Sequence, residues 1–374
     1  MSEELVIQVV HGSAGYESLE EDLRSLAANA ERPHPFCSTE WLAAWNKRIG
    51  MVYNPVMLTV RDGDGRLVGA WPFVEQVALM GKGLWPMGYH TMDYVDPLCL
   101  TQEPALRVRL VEGLAQLLKD YRFIWLPLLR KEFAQDCCRP FFVRKRQPML
   151  FDPGATRHYI RLGEQSMEDL LQESLGSKTR KTLRYTRRRL EEKGLVEYRA
   201  WRTRQEVEDF LPDFLRIEDG SWKAEAGVGL FSLLGIREFY QNLLPEMAAQ
   251  GRVQLSSLLL DGRPMACELG FLMDDTYCLH NTSYLPEFAE HSPGRHLLLE
   301  NLRRAAEAEK QCFDFMQGNQ SYKQKLGTHS EPIYTVSLFQ KSFAGRLNRW
   351  LIRGLQKSRR AKAKKLQGGT DQDF

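Results

Sequence analysis

One pattern, occurring twice, limits the fold of this 374-residue chain more than any other feature. NPVMLTV (54–60), the turn RDGDG and RLVGAWPFV (66–74) read as two strands closed at Asp-Gly. RVQLSSLLL (252–260), the turn Asp261-Gly262 and RPMACELGFL (263–272) repeat the arrangement. Two apolar runs meeting at Asp-Gly signal a hairpin, because the tight turn needs backbone angles that glycine adopts without steric cost. Each hairpin leads on to a helical pattern and another strand. In the first half these are 103–120 and RFIWLPLL (122–129); in the second, 294–310 and CFDFM (312–316). The repetition predicts a duplicated α+β domain. Pro153-Gly154 interrupts the periodicity and marks the joint. The expected domains are 1–155 and 156–345, with a basic amphipathic tail over 346–374.

The N-terminus, MSEELVIQVVHG, is acidic and its apolar run is short, which does not fit a signal peptide. The sequence holds no apolar run long enough to span a bilayer. Seven scattered cysteines form no CxxC pair and read as reduced, buried small hydrophobes. These features predict a cytoplasmic protein. No ligand spacing fits a metal site, and no P-loop, GxGxxG or GxSxG motif is present.

Charge is placed in patches. Residues 332–370 carry ten Lys or Arg and no Asp or Glu, against a net charge of +3 for the whole chain. In this tail Phe343, Leu347, Trp350, Leu351 and Leu355 recur at helical spacing, with Arg346, Arg349, Arg353, Lys357 and Arg360 between them. That is the pattern of a helix lying on an anionic membrane, so a peripheral position at the inner membrane face is expected. A second basic segment, SKTRKTLRYTRRRLEEKG (177–194), has Ser177 to cap it, Gly194 to end it, and a stripe of Thr179, Leu183, Thr186 and Leu190. Lys181, Arg184 and Arg188 share another face. Like charges one turn apart repel, so this face is expected to hold an anionic acceptor or cofactor.

Ser292-Pro293-Gly294 opens the helical pattern of the second half. Its free N–H groups at Gly294, Arg295 and His296, with the Arg295 charge, predict a pyrophosphate site at Ser292–His296. On RPMACELGFL, Ala266, Glu268 and Gly270 share one face, a carboxylate among small residues as if a ligand approached. Cys278, His280 and Thr282 share a face of the next strand, so Glu268 and His280 form a candidate acid–base pair. Asp314, inside the strand CFDFM, needs a buried cation, and Lys323 or Lys325 beyond Gly318 is expected to turn back to it.

The order strand–DGRPMA–strand, SPGR helix and DFMQGNQSYKQKLG (314–327) resembles the GNAT acyltransferase superfamily. With FCSTEWLAAW (36–45), LVGAWPF, GYHTMDYVDPL (88–98) and EDGSWKAEAGVG (218–229), it is similar to the CelD/BcsL-type bacterial acetyltransferases from about residue 30 to 345. A more distant similarity is to the Fem-type aminoacyltransferases, which also duplicate the unit. The resemblance implies tandem GNAT-like domains, each a mixed, mainly antiparallel sheet flanked by helices. The second copy would bind acetyl-CoA or another acyl-CoA, its pantetheine between splayed strands 276–284 and 311–316. The first would be a non-binding copy, its helix start TQEPALR being acidic. The resemblance further implies Tyr322 as the acid that returns a proton to the leaving thiolate, with Lys323 beside it, and acceptor contacts at Trp222 and Lys223. The chain departs from the usual GNAT phosphate loop, Gln/Arg-x-x-Gly-x-Gly/Ala, in having only SPGR.

The expected activity is acyl transfer, of acetyl by preference, from acyl-CoA to an amine or hydroxyl on a small molecule, an envelope polysaccharide or its precursor. Two alternatives stand beside it. One is aminoacyl transfer from tRNA to a cell-wall precursor; the other is a non-catalytic protein of polysaccharide assembly.

Overall fold

The computed structural model describes residues 4–49, 53–78 and 81–366, with side chains left undescribed at 48, 49 and 355–366. The chain forms two compact units, 1–156 with 331–374, and 157–330. In the first unit β1 (Val6–His11), β2 (Asn54–Arg61), β3 (Leu67–Ala78) and β4 (Gly81–Pro86) pair antiparallel in succession. A short β5 (Leu98–Cys99) adds to β3. The helix Pro104–Leu117 then returns the chain to β6 (Phe123–Arg130), which lies parallel to β4.

β7 (Met149–Arg161) leads from the first unit into the second. There β8 (Val196–Trp201), β9 (Val253–Leu260), β10 (Arg263–Leu272) and β11 (Thr276–Tyr284) pair antiparallel. The helix Pro293–Glu307 follows, and β12 (Cys312–Gln317) lies parallel to β11. Apart from β5 the duplication is therefore present strand for strand, and the strand pairing within each unit is mixed and mainly antiparallel.

Each unit closes with a strand from the other half of the sequence. β13 (His329–Phe339) pairs antiparallel with β6 in the first unit, and the end of β7, from Arg157, pairs with β12 in the second. Residues 331–345, expected in the second domain, thus belong with the first. Apolar periodicity makes them a strand, but says nothing of which sheet edge they complete.

In the second unit the helix Pro293–Glu307 covers one face of the β9–β10 region and the helix Arg204–Asp219 covers β10 as well. Burial fits this: every residue from Met265 to Phe271 is buried. The helix Ser177–Glu191 presents Leu183, Thr186 and Leu190 inward, as its spacing predicts. Gly176, not Ser177, stands at its cap, and its first turn has no side-chain cap. All seven cysteines are free, six of them buried. No described helix is long and apolar enough to cross a membrane.

Candidate functional site

β11 and β12 are the strands from which the site is built. They pair over only three positions, Thr276–Cys312, Tyr277–Phe313 and Cys278–Asp314. Beyond Cys278 and Asp314 both strands break register. On β11, Leu269 of β10 pairs with Asn281 and Gly270 with Leu279, so His280 is an extra residue in a β-bulge. On β12 the register to β7 shifts between Asp314 and Gln317, and Met316 (φ 59°) and Gly318 (φ 136°) are left-handed.

The bulge decides the fate of the proposed Glu268–His280 pair. It reverses the alternation along β11, so that Tyr277 and Thr282, five residues apart, both reach Glu268. The Tyr277 hydroxyl donates to its Oε1 at 2.8 Å and the Thr282 hydroxyl to its Oε2 at 3.4 Å. Asn301 of the overlying helix donates to Oε1 at 2.7 Å. His280 turns to the opposite face, its Nε2 2.7 Å from the Tyr240 hydroxyl and its ring against Phe271. The two residues are not brought together. Nor does the small neighbour Gly270 make room for a ligand: a Cβ there would collide with the Tyr277 hydroxyl. Glu268 is instead the acid of a buried polar network that continues through Asn301 to Ser256, Tyr198 and Gln254.

Burial pushes the Glu268 carboxyl up to about 7, the hydrogen bonds from Tyr277, Asn301 and Thr282 opposing in part. The folded state therefore holds a proton that the unfolded chain releases near the ordinary carboxylate range. Stability is expected to fall as pH rises from about 4.5 to about 7. Glu268→Gln should flatten that slope in melting temperature against pH; an unchanged slope would assign it to other groups.

Asp314 is 3% exposed in its side chain and pairs with Arg157 of β7, Nε to Oδ2 at 3.0 Å. Its Oδ1 accepts the Met316 N–H at 2.8 Å, which holds the left-handed turn of β12. Arg157 in turn lies over the Tyr159 ring, 4.4 Å from its centroid. Lys323, the lysine expected near Asp314, is buried, donates from Nζ to the Gln317 carbonyl at 2.6 Å and fixes the start of the helix Ser321–Leu326.

At the start of the helix Pro293–Glu307, Ser292 is left-handed (φ 51°) and makes no side-chain cap. The N–H groups of Arg295 and His296, expected to point at a ligand, return to the Ser292 carbonyl at 3.0 and 3.3 Å. Burial pulls His296 down to about 4, leaving it neutral, and its Nε2 meets the Thr186 hydroxyl at 3.0 Å. It carries no charge for a phosphate. Gly294 faces β11, where a Cβ would stand 3.3 Å from the Tyr284 ring.

Arg295 behaves otherwise. It lines a small, open cleft, a cavity of about 60 Å³, together with Tyr322, Lys325, Ser321, Thr179 and five leucines, among them Leu183 and Leu298. The cleft lies among the basic helix, the helix Pro293–Glu307 and the helix Ser321–Leu326. Tyr322 is half-buried, its ring edge-on to Phe315 with centroids 6.2 Å apart. Two residues singled out from separate motifs, Tyr322 and Arg295, thus share one cavity.

Lys223 belongs to a second cluster on β11. Its Nζ donates to Asn281 Oδ1 at 2.9 Å and to the Thr282 carbonyl at 2.6 Å, beside the bulge. Burial lowers its pKa, against the opposing charge of Glu218. Glu218 accepts from Asn281 at 2.8 Å, from Leu230 N at 2.7 Å, and from the Ser283 hydroxyl. Glu218, unlike Lys223, stands outside the residues expected at the site, although its position carries a signal. Phe210, Phe214 and Glu218 occupy one stripe of their helix, so an acid stands where the core calls for an apolar side chain. Trp222 is 36% exposed.

On the basic helix Lys181, Arg184 and Arg188 are exposed, with Arg184 in a groove formed with Arg180, Arg303, Glu168 and Gln172. Arg188 has an intrahelical counterion after all, Glu192 at 3.4 Å, and Arg187 has Glu191 at 2.6 Å. The acidic run Glu191-Glu192 lies one turn on and offsets the charge at that end of the helix.

Residues 177–324 match the family model described as an acetyltransferase (GNAT) domain. No curated protein matches the sequence. Solved structures show the same fold at low identity. FemX has a TM-score of 0.54 at 11% identity, over 85% of this chain and 95% of that one. A C-terminal domain described as that of a lysylphosphatidylglycerol synthetase from Agrobacterium fabrum has 0.53 at 12%, over 90% and 96%. L-PGS from Bacillus licheniformis has 0.51 at 14%, over 87% and 97%. The fold is that of two GNAT-like units in tandem, and the residues that match the GNAT domain model lie in the second.

Proposed function

We propose that the second unit transfers an acyl group, acetyl by preference, from acyl-CoA to an amine or hydroxyl acceptor. The observation that carries this reading is the cleft shared by Tyr322 and Arg295, with Tyr322 packed against Phe315 of β12. Pantetheine carries amide groups that need strand-like partners, and the backbone of β11 and β12 beyond Cys278 and Asp314 is free of mutual pairing. Arg295 and Lys325 at the cleft would meet the pyrophosphate, in place of the helix-start N–H groups, and the leucines would take apolar parts of the donor.

In this scheme the acceptor's lone pair attacks the thioester carbonyl carbon, and a base takes the acceptor's proton. The C–S bond then breaks, and the Tyr322 hydroxyl gives a proton to the thiolate. Tyr322 suits that step because it stands in the cleft with an apolar wall, where an unprotonated thiolate is a poor leaving group. Lys223 and Glu218 hold the bulged part of β11 in place and are positioning residues. The CelD/BcsL-type likeness supports a saccharide or envelope precursor as acceptor, in a cytoplasmic setting.

The resemblance of the sequence to Fem-type aminoacyltransferases keeps aminoacyl-tRNA as the rival donor, with the exposed basic residues of Ser177–Glu191 as its contact. Thermal melting in the presence of each donor separates the readings. Acetyl-CoA or CoA is expected to raise the melting temperature in proportion to log concentration above its Kd. Stabilisation by aminoacyl-tRNA and not by CoA would replace the donor; stabilisation by neither would favour a non-catalytic protein.

A further inference from the structure

The helix Phe343–Leu366 in the first unit is docked by the wrong face for its apolar residues to be core. Gly345 and Asn348 are buried, and Ile352 packs on the cluster of Phe123, Leu150 and Phe339. A side chain at Gly345 would collide with the Gln340 carbonyl, so the helix start lies hard against the chain before it. Along another stripe Phe343 is 85% exposed, Leu347 45%, Trp350 71% and Leu351 44%. Their spacing of four, three and one is that of one helix face. Arg346, Arg349 and Arg353, all exposed, flank it. The side chains of Leu355, Lys357 and Arg360 lie outside the described residues.

A distant segment extends the surface. The Lys341 ammonium donates to the Lys145 carbonyl at 2.7 Å, which ties the end of the helix Arg139–Arg144 to the start of Phe343–Leu366. That end exposes Val143, 60% accessible, beside Arg144, Lys145 and Arg146. Neither 141–147 nor 332–370 contains an acid. Two segments far apart in sequence thus present exposed apolar side chains beside exposed basic ones, and neither segment carries an acid.

We infer that this surface binds the face of an anionic phospholipid membrane. Apolar side chains that enter the acyl boundary, an indole at headgroup depth and arginines opposite lipid phosphates are what such a surface requires. A protein partner would need its own acidic complement. A second copy of this chain offers a cationic face to a cationic face, which is unfavourable at contact.

Flotation of the full chain with vesicles tests it. The protein should rise with mixed phosphatidylcholine–phosphatidylglycerol vesicles, stay below with phosphatidylcholine alone, and be released by high salt. The variant Leu347→Ser/Trp350→Ser should lower partitioning by roughly tenfold or more, with an unchanged melting temperature because both residues are exposed. Arg346→Gln/Arg349→Gln/Arg353→Gln should remove the preference for phosphatidylglycerol. The inference is overturned if the wild type fails to float on anionic vesicles or if the serine variant floats as well as wild type. It is overturned too if light scattering shows a dimer that the serine variant dissociates while lipid binding is absent, since the face would then join copies.

Discussion

Tyr322→Phe should lower turnover by about 10²- to 10⁴-fold while leaving acyl-CoA affinity and folding unchanged. The ring packs edge-on against Phe315 and beside the core cluster of Leu298 and Leu326, and phenylalanine preserves all of that. Only the hydroxyl is lost, so the measurement isolates the proton given to the departing thiolate. An acyl donor with a more acidic thiol needs that proton less, and its rate should fall less in the variant. A loss below about tenfold, equal for both donors, would make Tyr322 a packing residue.

Arg157→Met should destabilise the second unit by about 3 kcal/mol or more, because it leaves the Asp314 carboxylate buried without this guanidinium. Asp314→Asn should cost less, since an amide buried there carries no charge and its oxygen can still accept the Met316 N–H. In the double variant the two losses should not add, because they report one interaction. Urea midpoints and melting temperatures measure this, together with turnover per folded molecule, which Asp314→Asn should leave close to wild type. Additive losses, or a fall in turnover without a fall in stability, would move Asp314 from framework to chemistry.

The two hairpins, the helices after them and the last strand of each copy were legible because Asp-Gly turns and apolar period are local signals. β2, β3, β9, β10 and β12 lie within a few residues of the segments read from sequence. What escaped was non-local. Arg157 meets Asp314 across 157 positions, and nothing near either residue announces the other. The bulge at His280 is a matter of how β11 must pass β10, and a period of two cannot reveal a residue that breaks it. That single extra residue separated His280 from Glu268 and substituted Tyr277. The helix start at Ser292 shows the same limit. A Ser-Pro-Gly sequence predicts where a helix begins, which it did, but not that Ser292 would be left-handed with its carbonyl taking the next N–H groups. Tyr322 and Arg295 were chosen from different motifs, and their meeting in one cleft could be found only in three dimensions.

Calorimetric titration of acetyl-CoA into the wild type and into Arg295→Glu tests the central claim without knowledge of the acceptor. Arg295 is the better probe than Gly294, because its side chain lines the cleft whereas Gly294 faces the Tyr284 ring. Arg295 lines the cleft, and reversing its charge sets a carboxylate where the pyrophosphate would lie. The expected result is one site per chain in the wild type and a weakening of at least about tenfold in Arg295→Glu, with the melting temperature retained. Equal affinity in the two proteins, or no heat of binding in the wild type, would contradict the assignment of the cleft to acyl-CoA.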